Sequence, residues 1–158
     1  MNSFNDPIPS PRRRRLLAAG IGMAATVLVQ PALATPEEMA AAIRAFTGGA
    51  APVKGKMVFE VPVLVDNGNA VPVSVSVESP MSEADHVVAI AIFNERNPQP
   101  EVAVFNLGPR AGRAAVTTRI RLADTQTLTA VAKLSNGRFI AESANVIVTL
   151  AACLEGEG

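Results

Sequence analysis

The chain has 158 residues, with 14 basic and 14 acidic side chains, one histidine, one cysteine, and neither tryptophan nor tyrosine. Arg12 to Arg15 and Asp6 fall in the first 34 residues, so the other 124 carry 10 basic and 13 acidic groups, a net charge of −3. A domain of that size suits one core, mild negative charge argues against a nucleic-acid partner, and a lone cysteine has no partner for an intramolecular disulfide.

Residues 1–34 read as an export signal: a polar start, four consecutive arginines, an apolar stretch from Leu16 to Val29, and Ala32-Leu33-Ala34 as a small-residue cleavage site. Cleavage there would leave Thr35 as the first mature residue. Arg13-Arg14-Arg15-Leu16-Leu17-Ala18 fits the twin-arginine form, which implies export in the folded state to the periplasm. An ordinary secretory signal with a basic start fits the same residues. The apolar stretch, about 14 residues, is shorter than the roughly 20 needed to span a bilayer, and no later segment approaches that length. A mature chain in an oxidising compartment seldom keeps an unpaired cysteine, so Cys153 is expected to be there for its chemistry.

Thr35-Pro36-Glu37-Glu38 has the form of a capping box with proline at the first helical position. A short helix should run from it to about Phe46 and stop at Gly48-Gly49. Met39, Ile43 and Phe46 share helical spacing, so one face should pack on the body. From Lys56 the period changes to two. Met57 to Val65 and Ala70 to Glu78 flank Asp66-Asn67-Gly68-Asn69, a hairpin signal, and Val71, Val73, Val75 and Val77 alternate with Pro72, Ser74 and Ser76. Pro62 and Pro72 each remove a ladder donor, which places both strands at an edge or next to a bulge. Further strands are expected at Val87 to Phe93, Glu101 to Phe105, Ala114 to Leu122, Thr127 to Leu134 and Phe139 to Leu150, with a tight turn at Ser135-Asn136-Gly137. Seven short strands without alternating helices read as an all-β fold, an immunoglobulin-like antiparallel β-sandwich with a short N-terminal helix, over residues 35–150.

No conventional catalytic set is visible. His86 opens a strand after Ser82-Glu83-Ala84-Asp85 and reads as a surface hydrogen-bonder, because no nucleophile is placed for it to activate. Metal-ligand spacing is missing, Met57 and Met81 read as core or loop filling, and Gly48-Gly49 reads as a helix cap and not a phosphate loop. No cofactor motif is present.

That leaves Cys153, close to the end of the sequence after the last strand, in an arm of residues 151–158. A buried cysteine is common, but Glu155, Gly156, Glu157 and Gly158 cannot follow it into a core. Its charged neighbours are carboxylates, which disfavour the thiolate, and the nearest upstream cation is Arg138. Such a thiol is a poor autonomous nucleophile. It suits a cargo-bearing handle activated inside another protein.

The chain resembles the SoxY family, sulfur-carrier subunits of the periplasmic thiosulfate-oxidation system. The resemblance rests on the helix closing at Phe46-Thr47-Gly48-Gly49, on Asp66 to Met81, Asn97 to Phe105 and Gly112 to Leu122, and on Val148-Thr149-Leu150 leading into the cysteine. It implies a carrier and not an enzyme, paired with an immunoglobulin-like SoxZ subunit, that holds sulfur intermediates covalently on Cys153. Partners of SoxAX, SoxB and SoxCD type would act on the adduct in turn: a haem c protein attaches thiosulfate, a hydrolase releases sulfate, and a sulfane dehydrogenase oxidises what remains. The family arm is Gly-Gly-Cys-Gly-Gly, whereas here Ala151 and Ala152 precede the cysteine and Leu154 and Glu155 follow it. Glycine gives such an arm flexibility and a narrow profile. Either the cognate enzymes have wider channels, or the carrier has other partners, or it no longer carries sulfur. The competing reading is an immunoglobulin-like binding or structural module whose cysteine is inert or forms an intermolecular disulfide.

Overall fold

A computed structural model describes residues 34–149. The expected signal, apart from its last residue Ala34, lies outside the described residues, as do Leu150 and the arm from 151 to 158.

Helix α1 (Pro36–Thr47) begins at the expected cap: the Thr35 hydroxyl accepts from the Glu38 N–H at 3.2 Å, and the Glu38 carboxylate accepts from the Thr35 N–H at 2.9 Å. It ends where Gly48 turns left-handed, at φ 63°, so that the N–H groups of Gly48 and Gly49 bond back to the carbonyls of Ala45 and Arg44. A residue with a Cβ would be strained there.

Eight strands follow: β1 (Met57–Glu60), β2 (Leu64–Val65), β3 (Val71–Val77), β4 (Val87–Asn94), β5 (Glu101–Asn106), β6 (Ala114–Ile120), β7 (Gln126–Leu134) and β8 (Phe139–Val148). They form a three-stranded sheet in the order β1-β3-β6 and a five-stranded sheet in the order β2-β8-β7-β4-β5. The expected all-β, immunoglobulin-like sandwich is present. Its pairings are antiparallel except β2 with β8, which run parallel.

Alternation along β3 sends its four valines into the core and leaves Pro72, Ser74 and Ser76 on the outer face. β4 does not alternate. Almost its whole length is buried because both of its faces are covered. Ile90 and Ile92 face the sandwich core, while Ala91 and Phe93 meet Met39, Ala42, Ile43 and Phe46 of α1. Phe46 stands edge-on to Phe93 at 5.9 Å and to Phe139 at 6.0 Å between ring centroids. The helix is thus a third layer on the large sheet. Between α1 and β1, Val53 bridges Ile140, and Gly55 lies so close that a Cβ would stand 2.6 Å from an Ile140 methyl. Met57 and Met81 are core residues, as their sequence positions suggested.

The run Met57 to Val65 departs from expectation, since it is two strands in different sheets and Asp66–Asn69 is not the loop of a simple hairpin. After Glu60 the chain crosses from the small sheet to the large one through Val61-Pro62-Val63, and returns to β3 through a 3₁₀ turn at Gly68–Ala70. Pro62, with no N–H, falls where the small sheet's ladder stops. Pro72 departs from expectation, since β3 lies between β1 and β6 and is neither an edge strand nor bulged, and the ladder accommodates the proline another way. Glu78 N–H bonds to Lys56 O at 3.0 Å, so by ladder alternation the even-numbered residues of β3 point their N–H groups at β1. The last such pair is Glu60 with Ser74, and Pro72 lies just beyond it.

Candidate functional site at the base of the arm

Cys153, Ala151, Ala152, Leu154 and Glu155 all lie outside the described residues. What the structure brings together is the platform from which they leave. The last residues of β8 are held on both sides. Toward β2, the Ile147 N–H bonds to Val63 O at 2.8 Å, the Thr149 N–H to Val65 O at 3.0 Å, and the Thr149 hydroxyl donates to Asp66 O at 3.2 Å. Toward β7, which starts only at Gln126, the Thr125 hydroxyl takes the place of a ladder residue and accepts from the Val148 N–H at 3.0 Å. Thr125 is itself set by its own N–H, which donates to Asp124 Oδ1 at 2.7 Å.

Three connections at this end of the sandwich are locked to one another. The Leu122 N–H bonds to Gly68 O at 2.8 Å, tying the β6–β7 connection to the turn before β3. Asn97, in the β4–β5 loop, donates from Nδ2 to Arg121 O at 2.7 Å, while its Oδ1 accepts from the Ala123 N–H at 3.0 Å and from Gln126 Nε2 at 3.1 Å. Buried Gln126 accepts from the Arg96 N–H at 3.0 Å. Buried Asn94 closes the same loop, donating to Gln99 O at 2.6 Å and accepting from the Asn97 N–H at 2.8 Å. No buried side-chain N or O among the described residues lacks a partner. A fully satisfied polar network of this kind fixes loop geometry.

The network was not foreseen from the sequence. A signal existed in Asn94, which ends a strand beside a loop carrying Pro98 and Pro100, but nothing local pairs it with Gln126. Around the arm's base the charges are mixed: Asp66 and Asp124 on one hand, Arg96 and Arg121 on the other, with all four outside any ion pair among the described residues. The one ion pair there, Lys56 with Glu78 at 2.6 Å, is exposed and distant from Thr149 in the fold. His86 behaves as a surface hydrogen-bonder, its Nδ1 3.0 Å from Ser82 O and its N–H donating to Ser135 Oγ. Among the described residues no group of three His, Cys, Asp or Glu side chains could hold a metal ion, and no helix is long and apolar enough to cross a membrane. Chemically, these bonds hold Thr149, the last described residue, in a fixed place.

A family model described as "Sulfur oxidation protein SoxY" matches residues 43–153, so the matched stretch ends on the chain's one cysteine. No curated protein matches. Among solved structures, the sulfur carrier protein SoxY from Chlorobium limicola f thiosulfatophilum is 29% identical, with a TM-score of 0.59, over 72% of this chain and 98% of that one. A superoxide reductase (neelaredoxin) from Ignicoccus hospitalis has a TM-score of 0.54 at 16% identity, over 73% of this chain and 94% of that one, a likeness of fold alone. With the match spanning most of the domain and the carrier's fold reproduced over nearly its whole length, the chain belongs to the SoxY family of sulfur oxidation proteins.

Proposed function

We propose that this chain is a covalent sulfur carrier and not an enzyme, with Cys153 as the point of attachment. The observation that carries the reading is the family match ending on Cys153, in a chain that has no other thiol. In loading, the Cys153 sulfur and the outer sulfur of thiosulfate would form a disulfide bond, the thiol proton would go to solvent, and the two electrons would leave one at a time to one-electron acceptors reached through a haem-bearing SoxAX-type partner. Water then cleaves the bond to the sulfonate group on a SoxB-type hydrolase, which releases sulfate and leaves a persulfide on the arm. A SoxCD-type dehydrogenase would oxidise that sulfur. The platform contributes position: it fixes Thr149, so the Cα of Cys153, four residues on, can travel at most about 13–14 Å from it, at about 3.3–3.6 Å per residue.

The carrier works in the periplasm after removal of residues 1–34, as a heterodimer with a SoxZ-like subunit. Edge strands in both sheets support a need for a covering partner, so co-expression with such a subunit should raise the yield of well-behaved protein. The deciding experiment is intact mass of the heterodimer after incubation with thiosulfate and the attaching enzyme. The natural chain should gain the mass of a thiosulfate adduct and Cys153→Ser should gain none. No gain on the natural chain, in an assay where a Gly-Gly-Cys-Gly-Gly carrier loads, would favour a binding module with an inert thiol.

A further inference from the structure

Ala34 and Thr35, the residues on either side of the expected cleavage point, are both built into the folded domain. Ala34 is only 3% exposed, and its N–H bonds to Asn97 O in the β4–β5 loop at 2.9 Å. Thr35 is the N-cap of α1: its N–H donates to the Glu38 carboxylate, its hydroxyl accepts from the Glu38 N–H, and its carbonyl accepts from the Met39 N–H at 2.9 Å. Helix begins with the very next residue, Pro36. Ala34 and Met39 also occupy the two positions of a hydrophobic staple, one just before the cap and the other at the fourth helical residue. Met39 packs into the Phe93 and Phe139 cluster beneath α1. The bond between Ala34 and Thr35 thus has committed structure on both sides.

A protease takes its substrate as an extended segment clear of the body, so a bond inside folded structure is cut at a rate set by how often that structure opens. Here the opened state must give up the bond from Ala34 to Asn97, both halves of the capping box and the first turn of α1. We propose that the Ala34–Thr35 bond is a processing site that the folded domain holds closed, so that residues 1–34 are removed from folded precursor only through local opening of this N-terminal turn. This rests on the reading of those residues as an export signal. In the cut, water adds across the bond, its hydroxyl to the Ala34 carbonyl carbon and its hydrogen to the Thr35 nitrogen; the acid's proton then passes to the amine. The products are a carboxylate and an α-ammonium group. The cap survives the change, because the Thr35 nitrogen already donates to Glu38 Oε2 at 2.9 Å. A new positive charge that the helix dipole alone would repel is met by a carboxylate in place. Processing therefore exchanges the tie to Asn97 for an ion pair between Thr35 and Glu38, and α1 keeps its start.

The test treats the purified, folded full-length chain with a detergent-solubilised signal peptidase and follows the product by intact mass. A synthetic peptide of residues 22–41, which carries the same bond without the domain, is cut in parallel. The folded chain should be cut at least about tenfold more slowly than the peptide. Glu38→Ala, which removes the carboxylate half of the capping box, should speed cleavage of the folded chain about threefold to tenfold, the worth of one hydrogen bond in the opening equilibrium, and leave the peptide's rate unchanged. Glu38→Gln can still accept from the Thr35 N–H and should stay within about twofold of the natural chain. Hydrogen exchange at the Ala34 and Met39 amides of the natural chain measures the same opening without any substitution, and its protection factor should match the ratio of peptide to folded-chain rates. Equal rates for folded chain and peptide would overturn the assignment, as would a Glu38→Ala chain cut no faster than Glu38→Gln or a protection factor far from the rate ratio. Failure of the signal reading is seen separately, as a peptide left uncut between Ala34 and Thr35, and would withdraw the closed site with it.

Discussion

Asn97→Ala should weaken the whole arm platform, and the size of the loss follows from the bonds it removes. Its side chain makes three: to Arg121 O, from the Ala123 N–H and from Gln126 Nε2. A hydrogen bond of this type contributes about 0.5–1.5 kcal/mol net. Gln126 retains Asp124 O as a second acceptor at 3.1 Å, so the substitution does not orphan its buried amide. Asn97 is half-buried, so water can reach part of what is exposed. These considerations set the expected loss at about 2–3 kcal/mol, and at about 3–5 °C per kcal/mol for a domain of this size the Tm should fall by about 6–15 °C. The chain has no tryptophan or tyrosine, so unfolding in urea is best followed by far-UV circular dichroism. Asn145→Ala is the control: it removes one bond, accepted from the Thr127 hydroxyl, at an exposed site, and should stay within about 0.5 kcal/mol of the natural chain. A loss in Asn97→Ala no greater than in Asn145→Ala, with an unchanged m-value, would refute the claim that the network holds the loops.

Phe46→Ala should destabilise by about 2–4 kcal/mol: less than truncating a fully buried phenylalanine, yet enough to reflect the removal of the ring that meets both Phe93 and Phe139 edge-on. A urea midpoint within error of the natural chain would show that α1 docks without that ring. Replacing Ala151, Ala152, Leu154 and Glu155 with glycine should raise kcat/KM for enzymes whose channels suit Gly-Gly-Cys-Gly-Gly arms, since bulk and one negative charge near an anionic adduct are removed. Equal or slower loading of the glycine arm would indicate channels matched to the natural residues. Changing Arg13 and Arg14 to lysine should stop export, measured as loss of periplasmic protein, because the twin-arginine route reads the arginine pair; unchanged levels would identify an ordinary signal.

Local chemistry made several elements legible in the chain. The capping box at Thr35 to Glu38, the glycine stop at Gly48 and the four alternating valines of β3 each depend on residues within one turn or one strand of each other, and each appears where its pattern placed it. The lone thiol was legible too, as composition. The crossing of the chain between sheets at Val61-Pro62-Val63 was not. Both halves of Met57 to Val65 have strand-like sequence, and only the competition for partners, β3 for one half and β8 for the other, decides that the run divides. The same holds for the arm's platform. Thr125 completes a ladder for Val148, and Asn97 ties together loops separated by 24 to 29 residues, through bonds that no sequence window contains. Val63, Leu64 and Ile147 look like ordinary buried strand residues when read in order. They are exposed because β2 is an edge strand only two residues long, with no further strand beside it among the described residues.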